Sequence, residues 1–243
     1  MEKYETVLVS ASVDQVKDVV ATLCQAIPKG MTSSDAQSIS GKKGKFIADI
    51  RQVFAKYSTA SVLASVLLEW QDLWKEFGVS LDLSELVIPE CQEGFDRLLV
   101  IPQGIGAERV FQRCKSTFGA WKYTDCGLDE VVPTNDRTNI KTYEVWIRDR
   151  VEADKELKNM SANTLAQAKI LGVTLLERLV YEWKYFKESG KHLDIQKITL
   201  CSGSRDADGN VPCVYWLGGK LRVHWAPPGY QFDSLRSRAA VSL

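Results

Sequence analysis

Four groups of residues have the types and spacing to do chemistry. The first is Cys201-Ser202-Gly203-Ser204-Arg205. A thiol and a guanidinium flanking backbone amides suit an oxyanion, and such a loop can lower a thiol pKa. The Cys-to-Arg spacing is too short for a phosphatase-type loop, which leaves Ser202, Ser204 and Arg205 as anion binders. The second group is Asp149, Glu152, Asp154 and Asp206, carboxylates able to hold Mg²⁺ for phosphoester chemistry. They are interleaved with Arg148, Arg150, Lys155 and Arg205, so ion pairing accounts for the same residues without catalysis. The third is His192, with Asp194 two residues on, a general acid/base or a loop histidine paired with a carboxylate. The fourth is the aromatic set Trp121, Tyr123, Trp146, Tyr215, Trp216, Trp225 and Tyr230, with Arg and Lys nearby. Sheet aromatics beside basic groups suit single-stranded nucleic acid, and equally a sheet packed under helices.

These groups sit on a readable framework. The clearest helix covers residues 174–189. Thr174 and Glu177 have capping-box spacing, and Gly190 stands at the stop position. Leu175, Leu176, Leu179, Val180, Trp183 and Phe186 form its apolar face, while Glu177, Arg178, Glu182, Lys184 and Lys187 take the other side. A half-buried strand at 142–149 precedes it, and an aliphatic strand at 195–201 follows. If those strands are parallel neighbours, the 148–154 and 202–206 clusters meet at one sheet edge.

Upstream, the pattern predicts an extended segment at 4–10 and a helix over 13–26 capped by Ser12. Residues 31–44 read as a polar loop. Gly41-Lys42-Lys43-Gly44-Lys45 lacks the spacing of a phosphate-binding loop. Helices follow at 45–57, with Phe46, Ile47, Ile50, Val53 and Phe54 inward, and at 59–77, capped by Ser58. Trp70 and Trp74 share its core face. Residues 81–93 are irregular and mark the boundary. A buried strand at 95–101 runs through Gly104-Ile105-Gly106 into a helix at 107–118. Strand, Gly-x-Gly and helix begin a dinucleotide fingerprint, but Arg109 occupies the place of its third glycine. A short strand at 120–124 and a long loop at 125–140 come next. Residues 151–159 read as a helix, and 161–169 as another. A hairpin spans 211–216 and 220–225 across Leu217-Gly218-Gly219, and residues 233–243 read as a short helix or arm.

The 243 residues are 45% hydrophobic and 26% charged, which excludes disorder. With 31 basic and 31 acidic residues the chain carries no net charge, against a polybasic partner. No apolar run reaches membrane length, the N-terminus lacks a signal-peptide pattern, and none of the six cysteines forms a CxxC pair. A cytoplasmic protein with reduced thiols is the expectation, with no membrane partner. Two histidines and no metal-ligand cluster argue against a zinc site.

The segments WIRDRVEADKELKNMSANTL, GVTLLERLVYEWKYFKESGKHLD, ITLCSGSRDADGNVPCVYW and LRSR resemble an uncharacterised protein family from genomes of uncultivated bacteria. The resemblance spans residues 94–243. It implies a bacterial, cytosolic origin and brings no activity, cofactor or site residue with it.

The expected architecture is α/β (or α+β). A helical region, residues 1–90, packs with a mixed-sheet part, residues 91–243, that ends in a β-hairpin. The leading functional expectation is a non-catalytic binding module for an anionic ligand (nucleotide, phosphate or nucleic acid) at Arg148, Arg150, Ser202, Ser204, Arg205 and His192. The first alternative is a Mg²⁺-assisted phosphoester hydrolase or nuclease using Asp149, Glu152, Asp154 or Asp206. The second is a structural subunit that meets a protein partner or its own copy.

Overall fold

The computed structural model of the chain describes residues 13–57, 59–83, 86–89 and 91–242. The extended segment expected at 4–10 and the caps assigned to Ser12 and Ser58 lie outside the described residues. The chain divides into two compact units, Met1–Leu63 and Ala64–Leu243.

The first unit holds α1 (Val13–Gln25), α2 (Ser33–Gly41), α3 (Lys43–Tyr57) and the start of α4 (Thr59–Lys75). Helix α2 replaces the loop expected over residues 31–44. Its start explains why. The Thr32 hydroxyl accepts from the Asp35 amide, and Asp35 Oδ2 accepts from the Thr32 amide at 2.9 Å, a closed capping box. Gly41-Lys42-Lys43-Gly44-Lys45 becomes a helix-to-helix junction. Phe46, Ile47, Val53 and Phe54, expected inward, are exposed. A unit this small has little volume in which to enclose an apolar stripe from every helix.

The second unit takes the rest of α4 and then β1 (Arg97–Ile101), α5 (Ala107–Phe118), β2 (Ala120–Lys122), α6 (Leu128–Val131), β3 (Thr134–Asn135) and β4 (Tyr143–Ile147). It continues with α7 (Ala162–Gln167), α8 (Leu175–Ser189), β5 (Ile198–Leu200), β6 (Ser204–Arg205), β7 (Val211–Leu217), β8 (Lys220–Ala226) and β9 (Leu235–Ser237). The main sheet is mixed and five-stranded, in the order β2-β8-β7-β5-β9, and the fold is α/β as expected. Strands β1 and β4 form a separate antiparallel pair. β4 and β5 are therefore not parallel neighbours, because they belong to different sheets.

Local chemistry sets most of these elements. Gly218 and Gly219 both have positive φ, 62° and 71°, as a two-residue hairpin turn between β7 and β8 requires. Trp70 and Trp74 lie one helical turn apart and fully buried. Their indole N–H groups donate to the Leu98 and Val100 carbonyls at 3.1 and 2.9 Å. Two side chains thus satisfy two strand carbonyls of β1 that its pairing with β4 leaves over.

Other segments follow tertiary partners. Residues 151–159 hold one 3₁₀ turn, Lys155–Leu157, instead of the expected helix. The Ala153 amide donates to Asp194 Oδ1 and the Asp154 amide to the Ser237 carbonyl, so neither is free for a helical ladder. The tail is not a helix or arm. β9 runs parallel to β5, and Ala239 and Val241 then bridge to Gly172 and Trp146. A strand therefore follows the hairpin and closes the sheet. Among the described residues no helix is long and apolar enough to cross a membrane.

Helix α8 departs most from its expected surroundings. Its capping box and left-handed Gly190 (φ 67°) are present. Its charged side is buried, however: Glu177, Arg178, Glu182 and Lys184 join the apolar residues inside. Arg178 Nε donates to Asp194 Oδ2 at 2.9 Å and its NH1 to Glu182 Oε2 at 2.9 Å. Arg238, from the tail, donates to Asp194 Oδ1 at 2.8 Å, to Thr199 Oγ1 at 3.0 Å and to the Arg150 and Val151 carbonyls at 2.8 Å each. The charges balance, two guanidinium groups against two carboxylates, which is the condition for burying them together.

Two outcomes follow. Asp194→Asn leaves Arg178 and Arg238 facing each other with one counter-charge fewer, and should cost ~3–5 kcal/mol in urea unfolding. Glu144, buried on β4, has its carboxyl pushed up to about 7 by burial. The folded state therefore holds that proton more tightly than the unfolded chain does. Its contribution is greatest in acid and is lost as pH rises through the window from 4.5 to about 7. Denaturation midpoints of Glu144→Gln should lack that fall and exceed the wild type above the window.

Candidate functional site

The first three groups of candidate residues are placed apart from one another, each within its own set of partners. The Cys201–Arg205 loop is built into the core. Ser202 Oγ pairs with Ser237 Oγ at 2.9 Å, and Ser204 Oγ accepts from the Leu175 amide at 2.8 Å and donates to Asn135. Arg205 donates to the Ser202 and Ser204 carbonyls at 2.7 and 2.8 Å. Gly203 passes so close to its neighbour that a Cβ there would lie 2.7 Å from the Gly172 carbonyl oxygen. Burial pushes the Cys201 thiol well up, the opposite of what a thiolate nucleophile needs.

The 148–154 cluster forms its own network. Arg148 donates to Asp154 Oδ2 at 2.7 Å and lies over the Phe95 ring at 4.2 Å. Arg150 donates to Glu156 at 2.6 Å, and this hydrogen bond lowers the Glu156 carboxyl to about 2. Asp149 accepts from the Tyr181 hydroxyl at 2.9 Å. Glu152 accepts from the Gln196 and Lys197 amides at 3.1 and 2.9 Å. Asp206 accepts from the Asp208 and Asn210 amides, at 2.9 and 2.8 Å, within its own turn. The carboxylates point into four different neighbourhoods, and among the described residues no group of three or more His, Cys, Asp or Glu could hold a metal ion.

His192 is paired with a carboxylate, but with Glu182 (2.9 Å from Nδ1) rather than Asp194, whose oxygens are taken by the two arginines. Its ring stacks on Trp216 at 3.3 Å and meets Phe118 and Phe186.

A cleft of about 710 Å³ opens beside the Gly104-Ile105-Gly106 turn, bordered by Asp129, Asn135, Arg137 and Thr174. A phosphate at the start of α5 would take the first amides of the helix. Here Asp129 takes them, accepting from Ala107 N at 2.7 Å and Glu108 N at 3.1 Å. Arg137 is likewise occupied, by Glu177 at 2.7 and 2.8 Å and by the Gly172 carbonyl at 2.6 Å. The chain's own groups fill the roles that the partial fingerprint suggests for a ligand.

The fourth group comes out differently. Strand alternation in β7 and β8 gives the main sheet two unlike faces. One carries Val214, Trp216, Leu221 and Val223. It packs on α5 and α8, with Trp216 5.8 Å from Phe118. The other is covered at its β5/β9 end, where Leu200, Val211, Cys213, Ala226 and Leu235 pack with Leu157, Ala162 and Leu165. Its β2/β8/β7 end has no such cover. There Trp121, Arg222 and Tyr215 stand side by side in register, followed by Tyr123 and His224. Trp121 is 42% exposed. The Arg222 guanidinium lies 5.4 Å from the Trp121 ring centre, and His224 lies 6.1 Å from Trp121 and 6.2 Å from Tyr123. Lys220 stands exposed at the hairpin end of the same face. Burial and the nearby Asp206 carboxylate raise the Tyr123 phenol. Arg222, Lys220 and His224 are missing from the sequence-based candidates. The alternation of residues 220–226 was the signal available for them.

Gly106→Ala tests the Asp129 cap, because the new Cβ would lie 2.3 Å from Asp129 Oδ2. Displacing that carboxylate should cost ~1–2 kcal/mol, and Asp129→Ala should cost about the same. The double variant should cost little more than either alone in a thermal-melt comparison. No family model matches the chain, and no curated protein or solved structure matches it significantly.

Proposed function

We propose that the protein is a non-catalytic binding module for an anionic ligand, and that the ligand rests on the uncovered part of the main sheet. One observation carries this reading. A tryptophan, two tyrosines, a histidine, an arginine and a lysine share one face of β2, β7 and β8, away from α5 and α8. Trp121, 42% exposed, keeps ring surface open to solvent on that face, where a stacked group could cover it. The loops at 148–154 and 202–206 are weaker candidates, because their cations are held by carboxylates and carbonyls at 2.6–2.8 Å, whereas Arg222 makes one longer bond, to the Leu217 carbonyl at 3.4 Å. A bacterial, cytoplasmic origin belongs to the same proposal. Its support is the resemblance of residues 94–243 and the six free thiols.

Titration of intrinsic tryptophan fluorescence with nucleoside triphosphates, inorganic phosphate and oligonucleotides tests the reading. At least one of these anions should quench the signal. Arg222→Ala should weaken that binding by ~1.5–3 kcal/mol, the worth of a charged hydrogen bond. Loss with Arg205→Ala and not with Arg222→Ala would move the site to the 202–206 loop. No response to any anion would overturn the proposal.

A further inference from the structure

We infer that the ligand of this face is a single-stranded nucleic acid, with its bases laid on Trp121, Tyr123 and Tyr215 and its backbone beside Arg222 and Lys220. The inference rests on the binding reading above and narrows it to one ligand class.

Ring spacing is the first argument. Trp121 to His224 is 6.1 Å and His224 to Tyr123 is 6.2 Å, so the three rings follow one another across the face. These intervals approach twice the ~3.4 Å rise of a stacked strand. Platforms so placed receive bases that have been splayed apart, as an unpaired strand allows and a duplex does not. The second argument is the pairing of cation and ring. Arg222 over Trp121 can stack on a base face while its charge meets the phosphate next to it. Lys220 extends the positive edge along β8, and Asp206, beside Tyr123, sets its limit.

Shape separates this ligand from its rivals. A free nucleotide needs walls that enclose most of its surface. The large cleft lies elsewhere, at Gly104–Arg109 and Thr174–Leu176, with its polar groups already paired. A duplex is read by an element that enters a groove, whereas this face offers ring surfaces within a sheet. A chain with no net charge has no global field to gather small anions, so affinity has to come from repeated local contacts along a polymer.

The experiment is fluorescence anisotropy of labelled oligothymidylates of about 4, 8 and 12 nucleotides, with thymidine monophosphate, the matching duplex and inorganic polyphosphate as competitors. Affinity should rise with length, and the duplex and polyphosphate should compete poorly. Trp121→Ala should weaken the longest strand roughly 5- to 150-fold. Arg222→Gln should lower the salt slope by about 1. Circular dichroism of both variants checks the fold, and Tyr215→Ala provides a second ring variant. Three outcomes would overturn the inference and leave the anion-binding reading standing. These are length-independent affinity, equal competition by duplex, and polyphosphate binding that ignores the ring variants. If no nucleotide, phosphate or strand binds, both readings fail.

Discussion

The Asp194 carboxylate is the group on which the second unit depends. It accepts from Arg178 on α8, from Arg238 on the tail, from Thr199 on β5 and from the Ala153 amide. Four separate segments, two of them more than forty residues away, therefore share one acceptor. Its backbone joins in, with the amide bound to the Val151 carbonyl and the carbonyl bound to Trp216 N. Asp194 sits at φ 53°, a left-handed conformation that aspartate adopts more readily than most residues. A buried charge has to be matched locally, so the geometry of this cluster fixes where α8, β5 and the tail can lie.

That constraint also redistributes the polar chemistry of the chain. Arginine and carboxylate residues that look available in the sequence are used to tie segments together: Arg148 with Asp154, Arg137 with Glu177, Arg178 with Glu182. Asp129 caps α5 from a neighbouring helix in the same way. With the core so provided for, the uncovered half of one sheet face stands out as a surface whose rings and cations are not required inside. The proposed function rests on that contrast between groups engaged in the fold and groups facing solvent.

Some of this was legible from residue types alone. Thr174, Glu177 and Gly190 set the limits of α8 because caps act within one turn. Gly218-Gly219 set the hairpin, and the pairing of Trp70 with Trp74 marked a core face. The charged side of α8 was misleading. Helical periodicity separates apolar from charged positions, but it contains no information on whether another segment brings matching charges. The tail strand was hidden for a similar reason, since three residues pair with β5 only once the hairpin has placed it. The Thr32 capping box was present in the sequence, yet the polar composition of residues 31–44 outweighed it.

The sequence by itself determined a set of local features: the limits of α8, the turn between β7 and β8, the alternation of β8 and the aromatic content of the sheet. These depend on interactions between residues a few positions apart. The tertiary structure decided which charges are buried, which sheet each strand joins, and that Trp216 faces the helices while Trp121 and Tyr215 occupy the opposite face. Such outcomes depend on partners dozens of residues away, whose contribution is felt only when the chain has closed and water has been excluded between them.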